Sequence, residues 1–140
     1  MNIKHICLLL ICIANTAIAQ SDEDQIKKTI DTYIEGTAYN NPEMTMEAFY
    51  KDANLFLSHK DKEIWIVPIK EYASWLAKRE KGKFNGRTGK VIAVDVSNDI
   101  ATAKAEIMMD DKNSKFIDIF LLKKLKGKWK VISKAATRIE

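Results

Sequence analysis

Residues 116–134 read FIDIFLLKKLKGKWKVISK. Two apolar strands meet at Lys126-Gly127. The first carries one carboxylate, Asp118, and the apolar run of the second ends at one ammonium, Lys134. A charge inside an apolar strand is costly unless it is paired, solvated or used. Two registers are open. A two-residue turn at Lys126-Gly127 pairs Leu125 with Lys128, sets Asp118 opposite Ala135 and leaves Lys134 on the other side of the sheet. A three-residue loop, with Gly127 left-handed and a bulge beside it, pairs Lys124 with Lys128 and sets Asp118 opposite Lys134. A slip of one residue turns every side chain to the other face. The bulged form is preferred because it opposes unlike charges. It also groups Ile117, Ile119 and Leu121 with Val131, Ser133 and Ala135 on one nearly apolar face.

Upstream of this hairpin lie two more strands. Ile92, Val94 and Val96 alternate with less apolar neighbours. Ala101, Ala103, Ala105 and Ile107 alternate against Thr102, Lys104 and Glu106, the period of a half-buried strand. Asn98-Asp99 and Asp111-Lys112-Asn113 supply turns. The alanine row suits a place where a helix must lie close to the sheet.

The first half of the chain has a different period. Ile26, Ile30, Tyr33, Ile34 and Thr37 follow helical spacing over residues 22–38. Ser21 can cap that helix, and Asp22, Glu23 and Asp24 suit the positive end of its dipole. Asn41-Pro42 begins a second, shorter helix, packed by Met46, Phe49 and Tyr50. Residues 55–57 and 64–67 are short strands about a turn at Lys60-Asp61-Lys62. Pro68 opens a third helix with Ile69, Tyr72, Trp75 and Leu76 on one face. Residues 81–90, punctuated by Gly82, Gly86 and Gly89, read as a loop. Helices gathered ahead of a four-stranded meander predict an α+β fold. The predicted form is a cone-shaped, curved antiparallel sheet with three N-terminal helices on its concave face.

The chain opens with a targeting pattern. Lys4 precedes a short apolar run at residues 6–13, and Ala17-Ile18-Ala19 has the small-x-small form of a cleavage site. Residues 1–19 are therefore expected to be a signal peptide, cut near Ala19-Gln20. Residues 20–140 then form a single domain, exported to the periplasm or secreted. Cys7 and Cys12, the two cysteines, both fall in the signal. The domain thus has no thiolate site, and with His59 as its one histidine it offers no zinc set. No spacing of acids resembles a magnesium or calcium loop. No metal and no cofactor are expected.

The formal net charge of +4 is mild. Lys123, Lys124, Lys126, Lys128 and Lys130 gather at the tip of the last hairpin, where lysines guard strand ends against aggregation. Export argues against a nucleic-acid partner, and membrane contact is not expected once the signal is removed. No glycine spacing matches a phosphate-binding loop, and no serine sits in a nucleophile elbow.

The ordered set of features resembles the nuclear-transport-factor-2-like superfamily, which includes the SnoaL-like cyclases, and within it the exported "putative lumazine-binding" group. The resemblance spans essentially the whole of residues 20–140. It rests on Tyr33 and Gly36, on Phe49-Tyr50-Lys51-Asp52-Ala53, and on Ile66-Val67-Pro68-Ile69. It continues through Tyr72-Ala73-Ser74-Trp75-Leu76-Ala77-Lys78-Arg79, Asp118, Leu121-Leu122-Lys123 and Gly127, and ends with Trp129-Lys130-Val131-Ile132 and Lys134. Asn40-Asn41 departs from the Gly-Asp often found there, a change confined to a turn. The resemblance implies the cone fold, often a homodimer through the sheet. Its members include isomerases, dehydratases, cyclases and binders without catalysis, so fold alone selects no activity.

Three functions stay open at this point. The preferred one is an exported, non-catalytic domain that binds a small, mostly apolar molecule. Tyr33, Trp65, Tyr72, Trp75, Asp118, Phe120 and Lys134 are its candidate pocket residues, although aromatics at such spacing more often build core. The second is a small isomerase, dehydratase or cyclase with Asp118 as general acid or base. The third is a dimeric protein-interaction domain whose cavity is filled by side chains. A paired Asp118 speaks for the first, and an uncovered one for the second.

Overall fold

A computed structural model describes residues 20–110 and 113–139. The proposed signal peptide and part of the Asp111-Lys112-Asn113 turn lie outside the described residues. Three helices precede or interrupt six strands: α1 Asp22–Ala38, α2 Pro42–Glu47, β1 Phe49–His59, β2 Lys62–Pro68, α3 Ile69–Leu76, β3 Arg87–Ser97, β4 Ile100–Met109, β5 Ser114–Leu125 and β6 Lys128–Arg138. The fold is α+β, as the sequence predicts.

α1 starts where its cap requires. The Ser21 side chain accepts a hydrogen bond from the Asp24 amide, and three acids occupy the first turn. Ile26, Ile30, Tyr33, Ile34 and Thr37 are its buried stripe. The chain reverses through Asn40, in the left-handed region at φ 53°. Asn41 then caps α2 by accepting from the Met44 amide. The two helices touch at Gly36, where a Cβ would lie 2.7 Å from the Thr45 nitrogen. α3 follows Pro68, which sits at the cap position rather than inside the helix, and buries Ile69, Ala73 and Leu76.

The strands form one curved, unclosed sheet in the order β2-β1-β6-β5-β4-β3. Neighbours are antiparallel except β1 and β6, which run parallel. α1 lies across the inner face and packs on β3 and β6. That face carries Ala101, Ala103, Ala105 and Ile107 from β4, Phe120 and Leu122 from β5, and Trp129 and Val131 from β6, all buried. The small alanines let α1 approach. Gly89 on β3 does the same, since a Cβ there would meet the Ile107 Cδ1 at 2.7 Å and the Ile34 Cδ1 at 3.2 Å.

Several local expectations are corrected. Phe49 and Tyr50 belong to β1, not to α2; Phe49 is buried in the core and Tyr50 is exposed. β1 is far longer than residues 55–57 because β6 pairs along it. Residues 87–90 are the first residues of β3 rather than loop. A bulge between Val91 and Ala93 removes Ile92 from the row shared by Val94 and Val96.

The β5–β6 hairpin follows neither predicted register throughout. The turn is the two-residue form, with Leu125 opposite Lys128 and both Lys126 (φ 50°) and Gly127 (φ 78°) left-handed. That geometry matches the twist of the flanking strands. The preferred three-residue loop is therefore not formed. A bulge does occur, but farther on: Leu122 pairs with Val131 and Leu121 with Ser133, so Ile132 is the extra residue. Beyond it, Phe120 faces Lys134 and Asp118 faces Ala136. The shared apolar face is corrected too. Ile119, Leu121 and Ala135 are exposed on the outer side, whereas Val131 is fully buried on the inner one.

Candidate functional site

The Ile132 bulge sets the site. Val131 and Lys134 are three residues apart, an odd spacing that an unbroken strand would send to opposite faces. The extra residue restores both to the inner face, and both are buried. Lys134 then lies diagonally across from Asp118. Its Nζ donates to Asp118 Oδ2 at 2.8 Å. Tyr33, from α1, donates its hydroxyl to the same oxygen at 3.3 Å. Arg87, from the start of β3, donates from Nη2 to the Tyr33 oxygen at 2.9 Å and lies 3.7 Å from Asp118 Oδ2.

Four elements thus bring together one carboxylate, two cations and one phenol. Asp118 is 2% exposed and Lys134 3%, while the Arg87 side chain is 12% exposed. The Arg87 and Lys134 charges each lie 5.5 Å from the centre of the Tyr33 ring, which adds cation–π attraction. Burial, reinforced by Tyr72 and Asp118 and opposed by Arg87, holds the Tyr33 hydroxyl well above its ordinary pKa. Desolvation would lower that of Arg87, but Tyr33, Tyr72 and Asp118 outweigh it and keep the guanidinium above its usual value.

Beside this cluster opens a recess of about 320 Å³, lined by Trp65, Tyr72, Trp75, Asn85, Arg87 and Met109 among others. Its wall is aromatic. The Trp65 and Trp75 rings stack at 5.2 Å with 28° between planes, Tyr72 tilts against Trp75 at 5.6 Å, and His59 abuts Trp65 edge-on at 5.3 Å. Asn85 holds the rim. Its Nδ2 donates to the Thr37 carbonyl at 2.8 Å and to Asn40 Oδ1 at 2.9 Å, and its Oδ1 accepts from the Arg87 amide at 3.0 Å.

The predicted pocket residues divide into three groups. Trp65, Tyr72 and Trp75 line the recess. Tyr33 and Phe120, edge-to-face at 5.6 Å, are fully buried in the core. Asp118 and Lys134 lie in the buried cluster, paired with each other. Arg87, which joins the cluster to the recess, escaped the sequence reading because its flanking glycines at 86 and 89 resembled loop punctuation. A signal was present: Arg87, Gly89 and Val91 share a period of two, and the same alternation shows in their burial.

Three of the five lysines at the basic hairpin tip are engaged internally. Lys124 pairs with Asp22 at 2.8 Å, Lys123 pairs with Asp99, and Lys130 donates to the Glu47 carbonyl. Among the described residues no three His, Cys, Asp or Glu side chains group to hold a metal ion. No described helix is long and apolar enough to cross a membrane.

A curved sheet with three helices on its inner face, and a recess at one end, is the architecture of nuclear-transport-factor-2-like proteins. Solved structures bear this out. An NTF2-like protein of unknown function from Shewanella baltica superposes with a TM-score of 0.74 at 20% identity, covering 87% of this chain and 99% of that one. One from Methylobacillus flagellatus gives 0.73 at 27% identity, covering 89% and 97%. An NTF2-like protein from Cytophaga hutchinsonii gives 0.66 at 14%, covering 86% and 100%. The family described as putative lumazine-binding matches residues 21–135, and the chain belongs to it. No curated protein matches the sequence significantly.

Proposed function

We propose that this is an exported, non-catalytic domain that binds a small, largely apolar molecule in the recess walled by Trp65, Tyr72 and Trp75. One observation carries the reading. The carboxylate that could act as a proton shuttle is covered, because Lys134 and Tyr33 both donate to Asp118 Oδ2 while the recess beside them stays open. General acid or base work needs the group within reach of a substrate proton, and the lysine occupies that place. An isomerase, dehydratase or cyclase using Asp118 would first have to break a buried ion pair.

Membership of a family described as putative lumazine-binding supports a small ligand. Export rests on the pattern of residues 1–19. Native mass spectrometry of the protein purified from its own host tests the reading: it predicts a non-covalently held organic mass. Protein that neither carries nor captures any small molecule contradicts it.

The reading includes a homodimer through the sheet. The outer face carries a row of residues paired across all six strands, Ile66, Phe56, Ala135, Ile119, Lys104 and Ala93, of which both isoleucines are 52% exposed. Exposed apolar patches of this kind favour association.

A further inference from the structure

We infer that the recess selects a small aromatic anion, a carboxylate or an equivalent oxyanion on one or two fused rings, gripped by the Arg87 guanidinium. This inference rests on the small-molecule reading above and narrows it.

The first ground is the charge of the site. Asp118 faces two cations and satisfies them unequally. Lys134 holds its Oδ2 at 2.8 Å, whereas Arg87 stands off at 3.7 Å and spends its Nη2 on the neutral Tyr33 oxygen. Arg87 Nε is buried with no acceptor among the described residues. A buried N–H without an acceptor costs its desolvation in full, and an anion brought to it removes that deficit. Guanidinium and carboxylate also match in shape, two N–H groups to two oxygens.

The second ground is the remaining polar lining. Thr37 Oγ1 is spent on the Tyr33 and Ile34 carbonyls, and both ends of the Asn85 amide are spent on the fold. What remains is mostly donors. Tyr72 carries a hydroxyl. Arg79, at the edge of the recess, is exposed and has no ion-pair partner among the described residues. Among the described residues no carboxylate lines the recess. Among the described side chains a ligand rich in donors would find little beyond the Tyr72 oxygen to receive them, whereas an acceptor would find two guanidinium groups.

The third ground is shape. Trp65, Tyr72 and Trp75 line the recess, and an aromatic wall suits a ring. The volume of about 320 Å³ stands at the small end of the roughly 300–1,000 Å³ usual for ligand sites, which limits the occupant to one or two rings.

The test compares acids with their neutral amides. Benzoate, 2-naphthoate and indole-3-acetate are titrated beside benzamide, 2-naphthamide and indole-3-acetamide by calorimetry, with tryptophan fluorescence as a second readout. The acids should bind about tenfold tighter or more, the value of a charge-assisted hydrogen bond, and lose affinity as salt rises. Arg87→Met should abolish the preference, so that each acid and its amide then bind alike. Lys134 keeps Asp118 paired in that variant, and Arg79→Gln, on the surface, gives a smaller loss if Arg87→Met fails to fold. Acids and amides bound equally would overturn the anion inference and leave the binding domain standing. So would an acid preference that survives both arginine variants. Binding of neither series would overturn both.

Discussion

Lys134 meets Asp118 across a diagonal of the β5–β6 ladder: each faces a different residue, Phe120 and Ala136, yet Nζ and Oδ2 are 2.8 Å apart. The diagonal exists because Ile132 is bulged out between them and the turn. Both partners are buried, so the pair holds the sheet only while it is complete.

Removing one partner should therefore be costly. Lys134→Met leaves a buried carboxylate with only Tyr33 and the more distant Arg87, and the expected loss is about 3–5 kcal/mol. The double variant Asp118→Leu/Lys134→Met should be more stable than Lys134→Met alone, because the fully buried carboxylate is gone and the charge that remains, Arg87, opens on the recess. Urea denaturation of the two variants gives the comparison. A double variant weaker than the single would contradict this account of the pair.

The turn makes a separate prediction. Lys126 is left-handed at φ 50°, a conformation that asparagine tolerates better than lysine. Lys126→Asn creates the Asn-Gly pair preferred in two-residue turns and should raise stability by about 0.5–1 kcal/mol. Thermal unfolding measures it. A loss of stability would contradict the two-residue turn.

The pH dependence has a definite sign. The Tyr33 hydroxyl is raised well above its ordinary pKa, first by burial and then by Tyr72 and Asp118. The folded chain keeps this proton where the unfolded chain gives it up. The stability it contributes is full below about pH 10, the ordinary tyrosine value, and is lost as pH rises beyond that. Tyr33→Phe has no proton to release, so its stability should fall less steeply on the alkaline side. Denaturation profiles above neutrality decide it, and parallel profiles would contradict the assignment.

The outer face predicts an assembly. Ile119→Lys places a charge directly opposite Lys104 in the middle of the apolar row. Light scattering coupled to size exclusion should show a dimer for the natural chain and a monomer for the variant. A natural chain that is monomeric at high concentration would remove the dimer from the account.

Much of this was legible because it is local. The Ser21 and Asn41 caps, Pro42, and the alternation of Ala101, Ala103, Ala105 and Ile107 each declare an element within a few residues. The set Tyr33, Trp75, Asp118 and Trp129, with its neighbours, pointed to the family that the comparison finds. The site was legible only in part, because its defining features are not local. β6 must pair parallel with β1 and antiparallel with β5, and its bulge at Ile132 lies within that double pairing. Nothing in the run Val131-Ile132-Ser133 signals which residue will be extra. Arg87 acquires its role only when α1 supplies Tyr33 and β5 supplies Asp118, far along the chain.

The central claim is that an aromatic anion occupies the recess while the Asp118–Lys134 pair stays closed. A crystal structure of the protein with 2-naphthoate tests it most directly. The account predicts the ring against Trp65 and Trp75, the carboxylate hydrogen-bonded to the Arg87 guanidinium, and Lys134 still on Asp118. A ligand seated elsewhere, or one that displaces Lys134 and touches Asp118 itself, would contradict it.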